Sequence, residues 1–208
     1  MTFKVETICA IASAIGQSGI GIVRVSGPLA KSISKIILKT DLNPRYAYYG
    51  AFYDAKSIVI DQGVAIFFPG PSSYTGEDIV EFQGHGGVSV LRKLLETITD
   101  SKVRLAEPGE FTKRAFLNGK MDLIQAEAVQ DLIQSNSEES ALSAVRSLTG
   151  EFSTKINELL SELISLRVFV EATIDFSDEE IDFLESHEVS SKLYALRKSL
   201  KDILNTAT

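Results

Sequence analysis

A chain of 208 residues, 44% hydrophobic and 24% charged, has room for one large domain or two small ones. No apolar run approaches the roughly 20 residues that span a bilayer, the N-terminus carries Glu6 without a basic leader, and the single Cys9 excludes an intrachain disulfide, so a cytoplasmic protein with a packed, unreactive thiol is expected. The net charge of −7 argues against a general nucleic-acid binder; residues 1–118 hold 13 Lys and Arg against 11 Asp and Glu and residues 119–208 hold 8 against 17, so an anionic ligand belongs with the first part.

Short β-like and helical runs alternate at first. Thr7–Ala12 reads as a strand, Gly16, Gly19 and Gly21 mark a loop, and Ile20–Val25 is a second apolar run. Pro28 suits the first turn of a helix reaching about Leu38, with Ile33, Ile36 and Ile37 facing inward. Arg45–Tyr53, with Tyr46, Tyr48, Tyr49 and Phe52, reads as sheet rather than a base-stacking platform. Ser57–Ile60 and Gly63–Phe68 flank Asp61-Gln62 as a hairpin would. Pro69–Gly76 is a loop, Asp78–Gln83 a strand, Val88–Thr99 a helix and Val103–Ala106 a strand. Pro108-Gly109 turns the chain into a helix, Glu110–Leu117, which Asn118-Gly119 ends with a left-handed cap.

From Lys120 onward the spacing is helical. Met121, Leu123, Ile124, Ala128, Val129 and Leu132 form a stripe ending near Ser135, and Ser135-Asn136-Ser137-Glu138 spells a capping box. Val145, Leu148, Phe152, Ile156, Leu159, Leu163, Leu166 and Val170 predict one long helix, in which Gly150 costs about 1 kcal/mol. Ser177–Glu180 spells another box, before a final stripe of Val189, Leu193, Leu196, Leu200 and Ile203. These helices need partner faces from more chain or another subunit. The expected fold is α+β: a mixed-sheet domain, 1–118, followed by an all-α partial helical domain, 119–208.

Several chemistries are missing from the sequence. It contains no G-x-x-x-x-G-K-S/T, so the chain alone is not expected to hydrolyse a nucleotide. The order of Gly16, Gly19 and Gly21 does not fit a dinucleotide fingerprint, and His85 and His187 with one cysteine assemble no zinc site. Asp175, Asp178, Glu179, Glu180 and Asp182 lack an EF-hand's loop glycine and closing glutamate, and read as caps and a solvated face.

Three charges stand out. Glu81 lies between Val80 and Phe82, so it points to the opposite face, beside Ile79 and Gln83, and needs a basic partner or a ligand. Arg24 is the only charge in Gly19–Gly27, and its neighbours Val23 and Val25 face a core. Lys120 reads as the opening of the next helix, where a cation is disfavoured; it pairs with a carboxylate, holds an anion or is simply solvated. Gly84-His85-Gly86-Gly87, ahead of a helix, is either an anion cradle or a tight turn.

GIGIVRVSG (19–27), FPGPSSYTGEDIVEFQGHGG (68–87), EPGEFTKRAFLNGKMDLIQAEAVQDLI (107–133) and EATIDFSDEEIDF (171–183) resemble, in this order, the N-terminal part of the MnmE (TrmE) family of tRNA modification GTPases. The resemblance implies a folate-binding α/β domain that also dimerises, then the first part of a helical domain into which a GTPase domain is inserted. The GTPase domain and the closing C-terminal helices of the family pattern are not in this sequence, which is therefore expected to be a fragment. In the family, a homodimer works with the flavoprotein MnmG (GidA) to add an aminomethyl or carboxymethylaminomethyl group to carbon 5 of the tRNA wobble uridine. A tetrahydrofolate derivative, in 5-formyl or 5,10-methylene form, supplies the one-carbon unit; GTP, potassium and magnesium belong to the full-length protein.

Carried over position by position, the family's folate contacts fall on Arg24, Glu81 and Lys120, with no catalytic residue in the chain. A carboxylate such as Glu81 can accept the paired N–H donors of a pterin edge, and Arg24 or Lys120 can pair with the carboxylates of the folate tail. Tyr74 and Phe82 are candidate ring contacts, with core or loop packing as the competing role. The alternative function is an assembly scaffold that only dimerises and positions the GTPase domain. A self-contained carboxylate enzyme would need a second poised group beside Glu81, and the sequence identifies none.

Overall fold

Val23 and Val25 on one run, and Val80 and Phe82 on another, alternate with polar residues and are fully buried, and this period of two organises a sheet. The computed structural model describes residues 6–175 and 187–206. It divides into two units, Met1–Met121 and Asp122–Thr208. The first holds strands β1 (Ile8–Ile11), β2 (Gly21–Ser26), β3 (Tyr48–Tyr53), β4 (Val59–Phe68), β5 (Ile79–Gly84) and β6 (Arg104–Leu105), and helices α1 (Ala30–Leu38), α2 (Val88–Thr99) and α3 (Glu110–Leu117).

The six strands form one sheet in the order β3-β4-β5-β2-β1-β6, antiparallel except for the β1–β6 pair. Ile33 and Ile37 of α1 and Leu91, Leu94 and Ile98 of α2 pack with Val23, Val25, Phe52, Val80 and Phe82 in one apolar cluster. Phe52 and Phe82 meet edge to face at 5.6 Å. Cys9 is buried there, which pushes its thiol up to about 12 and leaves it unreactive. Ile36, expected to face inward, is 48% exposed, because the nine-residue α1 buries the Ile33–Ile37 stripe and turns position 36 outward.

The hairpin differs from the expectation. Val59–Phe68 is one ten-residue strand, and the turn lies upstream, where Asp54 Oδ1 accepts the N–H groups of Lys56 and Ile58 at 2.9 and 2.8 Å. Asp61 stays in the strand because its carboxylate is used across the sheet end: it accepts the His85 backbone N–H and ring Nδ1, both at 2.7 Å, and the Gln62 N–H. Burial opposes the ionised form of Asp61, but these donors outweigh it and hold the carboxyl below its ordinary range.

Helix α3 buries only Ala115 and Glu110 and is held largely by polar contacts. Arg104 donates to both Glu110 oxygens, at 3.0 and 2.7 Å, and Arg114 donates to Glu110 Oε1 at 3.0 Å. Chiefly through Arg104, and against the opposing effect of burial, these donors and the Glu107 N–H lower the Glu110 carboxyl from 4.5 to about 2. Because its folded-state value lies below the unfolded one, this stabilisation is fully present above about pH 4.5 and is lost as pH falls toward 2. Urea unfolding at stepped pH should show wild type losing stability across that window more steeply than Glu110→Gln. Parallel curves would remove Glu110 from the acid sensitivity.

The second unit is all helix: α4 (Leu123–Gln134), α5 (Glu138–Leu148), α6 (Glu151–Asp175) and α7 (His187–Thr206). Three boundaries depart from the sequence pattern. Helix α4 starts at a capping box of Asp122 with Gln125, and α5 starts at Ser137 with Ser140 rather than at Ser135. The predicted long helix breaks at Thr149-Gly150, where Gly150 adopts φ 86°, so this glycine is a helix stop and not a tolerated interior residue. Leu166, Leu196 and Ile203 of the predicted stripes are buried, whereas Leu163, Leu193 and Leu200 are exposed. The Ser177–Glu180 box and the acidic residues Asp178–Asp182 lie outside the described residues. No helix among the described residues is long and apolar enough to cross a membrane.

Candidate ligand site on the sheet face

Strands β2 and β5 are antiparallel neighbours whose register sets Arg24 directly opposite Glu81. Their flanking residues Val23, Val25, Val80 and Phe82 occupy the core face, so both charges emerge on the other face. Arg24 Nε and a terminal guanidinium nitrogen both reach Glu81 Oε1 at 2.8 Å. Glu81 Oε2 has only a long contact, 3.4 Å, from Gln83 Nε2. The pair is mostly shielded, with side-chain exposures of 25% for Arg24 and 15% for Glu81, a setting in which removing one partner strands the other.

Two rings flank the guanidinium. The Arg24 guanidinium carbon lies 5.2 Å from the Tyr74 ring centre and 5.5 Å from that of Phe111. Tyr74 belongs to the loop before β5 and Phe111 to α3, and the Tyr74 hydroxyl and Thr112 Oγ1 join the two at 2.8 Å. Together these residues form a polar platform with aromatic sides, suited to a flat, hydrogen-bonding ring.

Phe82, weighed as a ring contact, lies on the opposite face in the apolar core. Phe111 and Thr112 are further residues of the platform, and the sequence signal for them is the helical spacing that carries them on the α3 turn between the paired Glu110 and Arg114.

Lys120 is not at a helix start. Gly119, at φ 67°, sends its N–H to the Phe116 carbonyl, and Lys120 sends its own to Ala115, closing α3 with a Schellman turn. A cation at a helix C-terminus is electrostatically favoured, so the predicted conflict at this position disappears. Lys120 is exposed, and the middle of its side chain lies over Gly76, in the loop that carries Tyr74. Arg24 and Glu81 are therefore in contact, while Lys120 stands on the neighbouring loop edge and forms no ion pair with Glu81.

The Gly84–Gly87 segment resolves as a tight turn. Its His85 and Gly86 N–H groups are taken by Asp61 and the Ser18 carbonyl, and a Cβ on Gly86 would fall 1.9 Å from Ser18 Oγ. A polar cavity of about 610 Å³ lies in the helical unit, lined by Asp131, Gln134 and several serines of α5. It offers one carboxylate, no cation and no aromatic ring, so the platform around Glu81 is the stronger candidate.

The sequence matches two family descriptions, "GTP-binding protein TrmE N-terminus" over residues 7–120 and "MnmE helical domain" over residues 123–208. The tRNA modification GTPase MnmE of Vesicomyosocius okutanii subsp. Calyptogena okutanii (strain HA) is 58% identical over all 208 residues, and that of Ruthia magnifica subsp. Calyptogena magnifica is 56% identical over the same span. The protein of that name from Pseudomonas putida (strain W619) is 52% identical over 97% of the chain. The chain spans 46%, 46% and 44% of the lengths of these relatives.

Proposed function

The chain belongs to the MnmE (TrmE) family, and on that premise we propose that its N-terminal unit binds a tetrahydrofolate derivative and pairs with a second copy of itself. The reading is carried by Glu81, a shielded carboxylate with one oxygen paired to Arg24 and the other only lightly engaged. A pterin edge carries adjacent N–H donors, and a carboxylate fixed on a platform between aromatic side chains accepts such a pair with charge-assisted hydrogen bonds.

We divide the roles of the two cations by their pairing. Arg24 is committed to Glu81, where its two short contacts orient the carboxylate, so we assign the folate's tail carboxylates to Lys120. In the longer protein this module would serve modification of carbon 5 of the tRNA wobble uridine, together with a flavoprotein partner. GTP, magnesium and potassium would act outside these residues, since the sequence contains no Walker-type phosphate loop. The compartment proposed is the cytoplasm.

The tail assignment has a direct test. Calorimetry with 5-formyltetrahydrofolate and with a 5-formyltetrahydropterin that lacks the tail separates the two ends of the ligand. Lys120→Ala should weaken the first about tenfold and the second less than about twofold. Equal effects on both ligands, or none on either, would contradict it.

A further inference from the structure

The two rings beside Arg24 come from segments with no shared strand or helix: Tyr74 from the loop before β5, Phe111 from α3. Since α3 buries a single apolar side chain, Ala115, apolar packing alone does not fix where Phe111 sits. One side chain ties the two segments through charge. Arg114, 13% exposed, donates through one terminal nitrogen to both Glu77 oxygens at 3.2 and 3.0 Å and to the Glu6 carbonyl at 2.7 Å. Its other terminal nitrogen donates to Glu110 at 3.0 Å.

Glu77 is anchored in turn to the sheet. Its Oε2 accepts from Ser26 Oγ at 2.7 Å, and that hydroxyl meets the buried Thr75 Oγ1 at 2.8 Å. Thr75 and Glu77 lie on either side of Gly76, next to Tyr74 in the chain, and Asn118 from the end of α3 donates to the Thr75 carbonyl at 2.7 Å. A planar guanidinium with several fixed donors can hold two carboxylates and a carbonyl at once, which the single ammonium of a lysine cannot reproduce.

We propose that Arg114 is a positioning residue for the ligand site, acting through Glu77 to set the spacing of Tyr74 and Phe111 about Arg24. This rests on the reading of that platform as a folate site. Arg114 touches neither Arg24 nor Glu81 through any hydrogen bond or ion pair, so its effect on binding runs through the loop and α3.

The test uses the 208-residue chain and 5-formyltetrahydrofolate, with affinity by calorimetry and thermal midpoint by calorimetric scan on each variant. Arg104→Gln is the control: it removes the other arginine on Glu110 and leaves the Glu77 contact intact. Arg114→Gln should weaken binding about 20-fold and Arg104→Gln less than about threefold, although both lower the midpoint. Should Arg114→Gln fail to fold, Arg114→Lys decides, with a loss of about tenfold expected. The proposal is overturned if the folded Arg114 variant binds like wild type, or if affinity falls in step with the midpoint in both arginine variants. A wild-type chain that does not bind the folate overturns the site reading itself, and this proposal with it.

Discussion

Glu81→Ala should abolish binding of 5-formyltetrahydrofolate, weakening it at least about 100-fold, while the chain stays folded. The loss is large because the carboxylate is the group read as taking the donor pair, and its removal also leaves Arg24 as an uncompensated cation between two rings. The fold should survive because Glu81 faces away from the core that its neighbours Val80 and Phe82 build. Circular dichroism checks the fold, and calorimetry checks the affinity. Glu81→Gln sharpens the result: an amide preserves shape but replaces one acceptor by a donor, so it too should bind poorly. Wild-type affinity in either variant would move the site away from Glu81.

Gly63→Ala should cost about 3 kcal/mol of unfolding free energy. A Cβ at this position would lie 2.2 Å from the Gln83 carbonyl oxygen and 3.0 Å from Gly84 Cα, both backbone atoms of β5, so relief requires the β4–β5 pairing to shift. Gly16 supplies the control, because nothing lies within 4 Å of a Cβ built there and Gly16→Ala should stay within about 0.5 kcal/mol of wild type. Urea unfolding of the three proteins measures both changes. Equal midpoints for the two alanine variants would show that the strand pair yields more easily than its backbone contacts imply.

The same glycine shows why the hairpin was misplaced. Asp61-Gln62-Gly63 has the residue types of a turn, and local pattern cannot reveal that Asp61 is kept in the strand by His85 and that Gly63 is small because β5 passes close by. Both causes are contacts across more than 15 positions of sequence. Where the determinant is local, reading succeeded: the limits of α2 and α3 follow from apolar spacing and turn residues. Gly150 was legible as a glycine but not as a stop, since the apolar stripe runs on past it and only its φ of 86° marks the break.

The candidate site was legible in part for the same reason. Alternation alone places Arg24 and Glu81 away from the core, but their opposition depends on the pairing of β2 with β5, 57 positions apart, which no local signal encodes. Local pattern sets Lys120 at a helix start, where a cation is disfavoured; its setting in the fold is the end of α3. The Glu77–Arg114 contact was hidden by the 37 positions between its partners, although Glu110 and Arg114 stand one helical turn apart.

The central claim is that the sheet face around Arg24 and Glu81 takes a reduced folate. Calorimetric titration of the wild-type 208-residue chain with 5-formyltetrahydrofolate at neutral pH and physiological salt tests it most directly. Saturable binding with one ligand per chain, lost in Glu81→Ala run alongside, is the predicted result. Absence of saturable heat at millimolar ligand, or equal binding by the two proteins, would contradict it.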